Sequence, residues 1–522
     1  MDKKTSILLI VIVGFTLYLN SFFNGFVWDD EEQIVLNTQV HSIANIPSFF
    51  TGSTFNSGGA AKMGGLYYRP LMTTVFSLIY SIFGSGAFFF HFFQVTIHIA
   101  STILLFLILS RFLEKEKLSL VLSMLFLVHP VNSETVLYIA GLQDVLFFFF
   151  GILSLWIVIS KGDLKHLLIS ALLLFFSIAS KETGIIWWVI IGLYTFKFKN
   201  KSFKTLIAPL TFFAVFYSFL RFGVARIFLA KHGLTEISRI NLTGRLLNVP
   251  AVASYYLSKL VWPVNLAIDQ QWVVKDFSVS LFHLPLVVSL VFLSILISGA
   301  IYLIKKRDKH AVFYTIGLIG FLLSFSMHLQ IFPLDMTVSD RFFYMPMAFL
   351  LALVGVFLAR IKKERIAVWI LSSLVVLFSL RTFIRTFDWR SSFTLYYHDI
   401  KYSESFNLEN NLGVELYRRG EIEEAGKHFE KSIEMSPNWW TNYNNLGAYW
   451  ETKGDLSKAE DLYLTAVVNG NYYLAVENYA RILYKEKKYE ELETFLTKYL
   501  PIYPNNQILQ VLWQAVDQSM GN

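Results

Sequence analysis

The chain has 522 residues, of which 55% are hydrophobic, 17% aromatic and only 16% charged, with a mean hydropathy of +0.50. A soluble protein carries about a quarter charged residues, so these values exclude an ordinary soluble globule and place most of the chain in a membrane. The absence of cysteine excludes disulfides, cysteine–zinc sites and thiol catalysis, and the net charge of +7 conceals an asymmetry: 13 Lys+Arg against 20 Asp+Glu from Asp388 onward, and 32 against 18 before it.

The apolar runs stop at the same boundary. We therefore expect a basic membrane domain over residues 1–386 and an acidic soluble domain over 387–522. Met1-Asp2-Lys3-Lys4 leads into a long apolar run with no small-residue cleavage site, the pattern of a signal anchor. Eleven spans are expected, near 6–23, 88–110, 118–131, 137–160, 165–180, 184–198, 205–225, 281–304, 310–330, 343–360 and 366–385. Several fall short of the ~20 residues a bilayer needs, so they are kinked or continued by less apolar turns. Lys3/Lys4, Arg111/Lys115/Lys117, Lys161/Lys165, Lys197/Lys199/Lys201/Lys204, Lys305/Lys306/Arg307/Lys309 and Arg360/Lys362/Lys363/Arg365 occupy alternate span ends. The positive-inside rule makes these ends cytoplasmic. The other ends then face outward, together with the C-terminal domain. Within the outer loops, residues 70–83 and 244–263 read as interfacial helices rather than crossings.

The acidic domain carries a repeat. Leu412-Gly413, Gly420 and Ala425 recur as Leu446-Gly447, Gly454 and Ala459, each 34 residues on, and Leu483-Tyr484 with Pro504 marks a weaker third copy. A 34-residue period with small residues at helix contacts is the tetratricopeptide pattern, whose usual product is a surface for peptides or proteins.

Candidate chemistry gathers at the outward ends. Trp28-Asp29-Asp30-Glu31-Glu32 follows the first span. A carboxylate there can deprotonate a hydroxyl, and Asp29 with Asp30 could hold a divalent metal. Arg69, Lys181 (beside Glu182) and Arg341 are outward cations in apolar settings, suited to a lipid phosphate. Lys231, Arg239 and Arg245 add positive charge to the 226–280 loop. Glu134 sits at an outer turn, and Asp144 lies just inside a span, where an ionisable residue is a functional candidate by default. His91 and His98 share a face of the second span and read as hydrogen-bonded core histidines before metal ligands. Asn241-Leu242-Thr243 is a glycosylation sequon of the kind expected by chance.

In order, Phe26-Val27-Trp28-Asp29-Asp30, Tyr68-Arg69-Pro70-Leu71, Phe90-His91…His98, His129-Pro130…Glu134, Lys181-Glu182, Trp262-Pro263…Asp269 and Asp340-Arg341…Tyr344-Met345-Pro346 precede the repeats. This series resembles the transmembrane-and-tetratricopeptide O-mannosyltransferases and their prokaryotic relatives, within the GT-C glycosyltransferase superfamily, over nearly the whole chain. The resemblance implies an all-α, polytopic GT-C fold followed by a tetratricopeptide solenoid. It implies an inverting, metal-optional transfer of mannose or another hexose from a polyprenyl-phosphate donor to a hydroxyl of a protein or glycan. Cofactors beyond an optional divalent metal are not expected, and the partners are membrane lipid, lipid-linked sugar and acceptor, with no nucleic acid. By the same resemblance Asp29 is the general base, Asp30 supports it, Glu134 lines the cavity, and Arg69, Lys181, Glu182 and Arg341 form the donor-binding set. One departure stands out: family members commonly have Gly-Arg-x-Asp where this chain has Gly141-Leu142-Gln143-Asp144.

The location that follows is a prokaryotic plasma membrane with a cytoplasmic N-terminus, or the endoplasmic reticulum in a eukaryote. Two other readings compete. A non-enzymatic scaffold would use the repeats alone, and a lipid-glycan flippase would need ionisable residues through the middle of several spans.

Overall fold

In hydrocarbon no water satisfies the backbone, so each long apolar run closes its own hydrogen bonds as helix. A computed structural model describes residues 2–54, 67–228, 235–470 and 473–520, and among these helix is the only regular element, with no strand. All eleven expected spans are helical: Lys3–Tyr18 with a 3-10 continuation Leu19–Phe23, Ala87–Leu113, Glu116–Val128, Leu142–Ser160, Leu164–Ser180, Ile185–Phe198, Asn200–Ser218, Leu284–Lys305, Ala311–Ser326, Tyr344–Leu358 and Glu364–Asp388. Seven helical segments are long and apolar enough to cross a bilayer, or eight if Glu116–Val128 and Pro130–Leu137, bent by 47°, form one broken span. The chain is a multi-pass, all-helical membrane protein. The expected interfacial segments are helices too, Pro70–Phe83 and Leu242–Val261.

Several spans are short for a local reason. The chain breaks into 3-10 turns at Pro130–Asn132, Ile139–Gly141, Glu182–Gly184 and Asp340–Phe343. Each turn adjoins a charged candidate residue, and the polar backbone it frees needs partners other than lipid. Gly184 shows how tight these turns are: a Cβ there would lie 2.6 Å from the backbone of Ser177. Only glycine lets the Lys181–Gly184 turn fold back on the helix before it.

The described residues fall into two units, one made of those in 1–268 and 272–391, the other of those in 269–271 and 392–522. The core of the first unit is a continuous apolar cluster that includes Leu109, Phe126, Phe148, Trp187, Phe321, Tyr344 and Val356, all nearly inaccessible. A smaller cluster of Ile34, Met72, Phe76, Ile79, Phe90, Ile139, Leu142 and Leu146 packs beneath the acidic loop.

The second unit contains three successive helical hairpins: Phe406–Arg418 with Ile422–Met435, Trp440–Thr452 with Leu456–Gly470, and Tyr473–Lys485 with Tyr489–Tyr499. Gly420 and Gly454 hold φ of +81° and +84° at the first two turns, and Lys487 takes the same left-handed region at the third. The repeat's small residues are contacts, since a Cβ on Gly413 would meet Phe429 at 2.6 Å and one on Gly447 would meet Tyr463 at 2.7 Å. Asp269 is buried in this unit, its carboxylate receiving Ser405 Oγ and Asn407 Nδ2.

Candidate functional site

The four broken turns and the acidic loop bring together most of the predicted charged residues. Asp29 is reached through Trp28, whose φ of +54° is unusual for a bulky side chain. Asp30 then turns back on the chain: its Oδ2 accepts the Val27 amide at 2.9 Å and its Oδ1 accepts the Ala140 amide at 2.6 Å. Asp30 is fully buried, and both oxygens serve as a clasp between the acidic loop and the turn before the helix Leu142–Ser160. Asp29 takes no part in this clasp, so the two neighbouring carboxylates have different partners. Among the described residues no group of three or more His, Asp or Glu side chains could hold a metal ion. Glu31 and Glu32 begin a short wide helical turn and are half-buried.

Asp29 Oδ2 accepts a hydrogen bond from the Tyr138 hydroxyl at 2.8 Å. The Arg341 guanidinium lies over the Tyr138 ring, 5.6 Å from its centre. Arg341 in turn donates from Nη1 to Glu134 Oε1 at 2.7 Å and from its backbone amide to Oε2 at 3.2 Å, while Ser339 Oγ donates to Oε1 at 2.6 Å. Arg341 Nε also stands 4.0 Å from Asp144 Oδ2. The other oxygen of Asp144 takes Lys181 Nζ at 2.5 Å. Next along, Glu182 pairs with Arg221 at 2.9 Å, and Arg221 also donates to the Tyr217 hydroxyl at 3.1 Å. Asp340 accepts from the Tyr255 hydroxyl at 2.8 Å.

Arg69 differs from the other cations. Its guanidinium rests on the Tyr67 ring at 4.3 Å, and its Nε, buried, has no hydrogen-bond partner among the described residues. It lies within electrostatic reach of Glu182, Asp144 and Arg341, and of Asp29. Burial pulls the Arg69 guanidinium and the Lys181 ammonium below their ordinary values, and neighbouring carboxylates oppose this at both. Burial pushes the Asp29 carboxyl upward against the Tyr138 hydrogen bond and the fields of Arg341 and Arg69. Asp30 is raised further, again chiefly by burial.

Asp29, Arg69, Glu134, Asp144, Lys181 and Arg341 therefore belong to one electrostatic cluster, joined through Tyr138. Glu182 reaches it through Arg69's field and is itself committed to Arg221. Tyr138 and Arg221 were not singled out from the sequence. Arg221 is an ionisable residue at the end of an apolar run, the same signal that marked Asp144. Nothing in one sequence distinguishes Tyr138 from the other tyrosines. Leu142, at the departure from Gly-Arg-x-Asp, points into the apolar cluster with Met72 and Phe76 and not into the polar one. Arg245 is spent on the Gln330 and Ile240 carbonyls, Asn241 caps its helix through Gly244, and Lys231 lies outside the described residues. His98 is a core histidine, Nδ1 facing the Tyr344 hydroxyl at 2.7 Å and Nε2 the Leu127 carbonyl at 3.1 Å.

The fold and this cluster define the class: a polytopic helical membrane protein with a charged site at its broken helix ends. Its relatives in sequence carry one kind of name, matching the resemblance in the motifs. The chain is 24% identical to human protein O-mannosyl-transferase TMTC3, the alignment covering 90% of this chain and 56% of that protein. It is likewise 24% identical to a Caenorhabditis elegans protein O-mannosyl-transferase, over 83% of this chain and 63% of the relative. The chain thus spans little more than half the length of these curated relatives. No family model matches. Among solved structures, an Archaeoglobus fulgidus oligosaccharyltransferase tethered to an acceptor peptide is similar with a TM-score of 0.36 at 11% identity, covering 81% of this chain and 58% of that one.

Proposed function

We propose that this chain is a glycosyltransferase that moves a sugar, mannose or another hexose, from a polyprenyl-phosphate donor to an acceptor hydroxyl, with inversion and with Asp29 as general base. The names of the relatives in sequence support the transfer of mannose to protein. One observation carries the assignment of the base. Of the carboxylates in the cluster, Glu134, Asp144 and Glu182 are each held by a cation, and Asp30 is held by two backbone amides. Asp29 has a tyrosine hydroxyl and no ion pair among the described residues, so it can take a proton without breaking a buried pair. Asp340 is likewise bonded to a tyrosine hydroxyl, but it faces the charge of Glu134, whereas Asp29 stands in the fields of Arg341 and Arg69, the cations assigned to the phosphate.

The chemistry follows from that difference. The acceptor hydroxyl gives its proton to Asp29 as its oxygen bonds to the anomeric carbon. The bond from that carbon to the phosphate oxygen breaks, and the phosphate leaves with the electron pair. Fixed cations stabilise the charge it gains. Arg69, with no carboxylate partner among the described residues, is the first such cation, and Lys181 and Arg341, already compensated by Asp144 and Glu134, add to the field. A lipid-linked donor cannot leave the bilayer, which suits a site at helix ends. By the positive-inside rule these ends face outward or into the lumen, and the helical hairpins, read as tetratricopeptide repeats, present a protein acceptor on the same face. Asp29→Asn is expected to abolish transfer from a polyprenyl-phosphate sugar in reconstituted vesicles while expression and thermal unfolding stay as in the wild type. Near-normal transfer in that variant overturns the assignment.

A further inference from the structure

Five asparagines on the first helices of the three hairpins form one directed hydrogen-bonded chain. Asn478 Nδ2 donates to Asn444 Oδ1 at 2.9 Å, and Asn444 Nδ2 to Asn445 Oδ1 at 3.2 Å. Asn445 Nδ2 donates to Asn410 Oδ1 at 2.8 Å, and Asn410 Nδ2 to Asn411 Oδ1 at 3.2 Å. The pairs Asn410/Asn444 and Asn444/Asn478 each repeat at the 34-residue period, as do Asn411/Asn445. The three helices pack on one another in succession, so the amides run across the unit rather than along a single helix.

Asparagine in a helix interior is unfavourable, because its side chain competes for backbone groups. Five of them interlocked on one face call for a use. Asn410 and Asn444 are buried and tie neighbouring helices together, whereas Asn411, Asn445 and Asn478 are partly exposed. A carboxamide offers two N–H donors and an oxygen with two lone pairs. The chain uses at most one N–H and one lone pair of each exposed member, leaving a donor and an acceptor side by side at every rung. An extended polypeptide presents the complementary pair, a backbone C=O and N–H, once every second residue on a given side.

We propose that this asparagine face binds an extended segment of the acceptor polypeptide through its backbone, so that recognition is indifferent to side-chain sequence. The proposal rests on the reading of the acceptor as a protein. It names the kind of segment taken: unfolded, with its amides unpaired. The outermost amides, Asn411 and Asn478, mark the two ends of the track.

The test is binding of a fluorescent, unstructured Gly/Ser/Thr/Lys peptide to the whole 522-residue chain in nanodiscs, with no sugar donor present. Wild type is expected to bind the peptide and its scrambled form with equal affinity, and to bind a backbone N-methylated version roughly tenfold or more weaker, because the lost N–H groups cannot donate. The triple variant Asn411→Ala, Asn445→Ala, Asn478→Ala is expected to lose a similar factor, measured at a temperature where its circular-dichroism spectrum is that of the folded wild type, since it also strands the buried Asn410 and Asn444 amides and lowers the melt. Should that variant fail to fold, the N-methylated peptide still decides the matter on wild-type protein. Equal binding of the N-methylated peptide overturns the proposal, as does loss of binding on scrambling. Binding without donor is read apart from transfer, so a failed catalytic assignment and a failed docking face give different results.

Discussion

Asp29 and Asp30 are adjacent and chemically identical, yet a left-handed Trp28 and the turn behind it give them different partners. Asp30 is spent on two amides, and its replacement by alanine leaves both donors buried and unpaired. At about 1–3 kcal/mol for each unsatisfied group, Asp30→Ala is expected to lower unfolding stability by roughly 2–6 kcal/mol, measured by denaturant titration in detergent, and Asp29→Ala, which strands one hydroxyl, by about half of that. The sign of the pH response separates the pair further. A general base must be deprotonated, and burial holds the Asp29 carboxyl above its ordinary value. Transfer is therefore expected to fall as pH drops through a midpoint above the ordinary carboxylate value of about 4. The Tyr138 hydroxyl lowers that midpoint by bonding the ionised form. Tyr138→Phe is expected to move the acid limb of the rate profile to higher pH, with the neutral-pH fold unaltered. An unmoved limb would show that the titrating group is not Asp29. From the sequence, Asp29 was legible as an outward carboxylate beside a span, but its separation from Asp30 was not, because it depends on which amides the fold places opposite each oxygen.

Broken helices are the elements that make the site. Pro130, Gly141 and Gly184 announce the breaks in the sequence, and charged residues adjoin them. Their pairing is invisible there, since Lys181 and Asp144 are 37 residues apart and Arg341 and Glu134 are 207 apart. Lys181 and Asp144 are buried, so removing one partner strands the other. Lys181→Met is expected to cost about 3–5 kcal/mol of stability, read as a lower melting temperature, and Lys181→Met with Asp144→Leu to recover most of it. If Lys181 also serves the departing phosphate, the double variant regains stability without regaining transfer. Leu142 belongs to the same scale of argument. It sits on the apolar side of the helix Leu142–Ser160, where a guanidinium would be buried among Met72, Phe76 and Phe90. The residue that differs from the family pattern is thus matched to its surroundings, and Arg69 is left as the cation without a carboxylate partner among the described residues.

For the whole molecule, the placement of basic and acidic segments on opposite sides of the bilayer is open to direct measurement, because the chain has no cysteine of its own. Single cysteines replacing the exposed Lys306 and Lys362 are expected to resist a membrane-impermeant maleimide in intact cells, whereas one replacing the exposed Lys427 is expected to react. Labelling in the reverse pattern would invert the topology and remove the outward site. What the sequence determined by itself was the periodic and compositional part: eleven helical segments, two further helices in the long loops, a 34-residue repeat and the division of charge. Hydrophobicity, helix length and repeat spacing are local quantities, set by residues near one another in the chain. Only the tertiary structure decided which charges are spent and which are free. An ion pair or an amide clasp is made between residues far apart in sequence, and burial makes it strong enough to fix a side chain's role. That is why Asp29 and Arg69 stand out among the charged candidates in the folded chain, and why five asparagines scattered through the repeats become one continuous track.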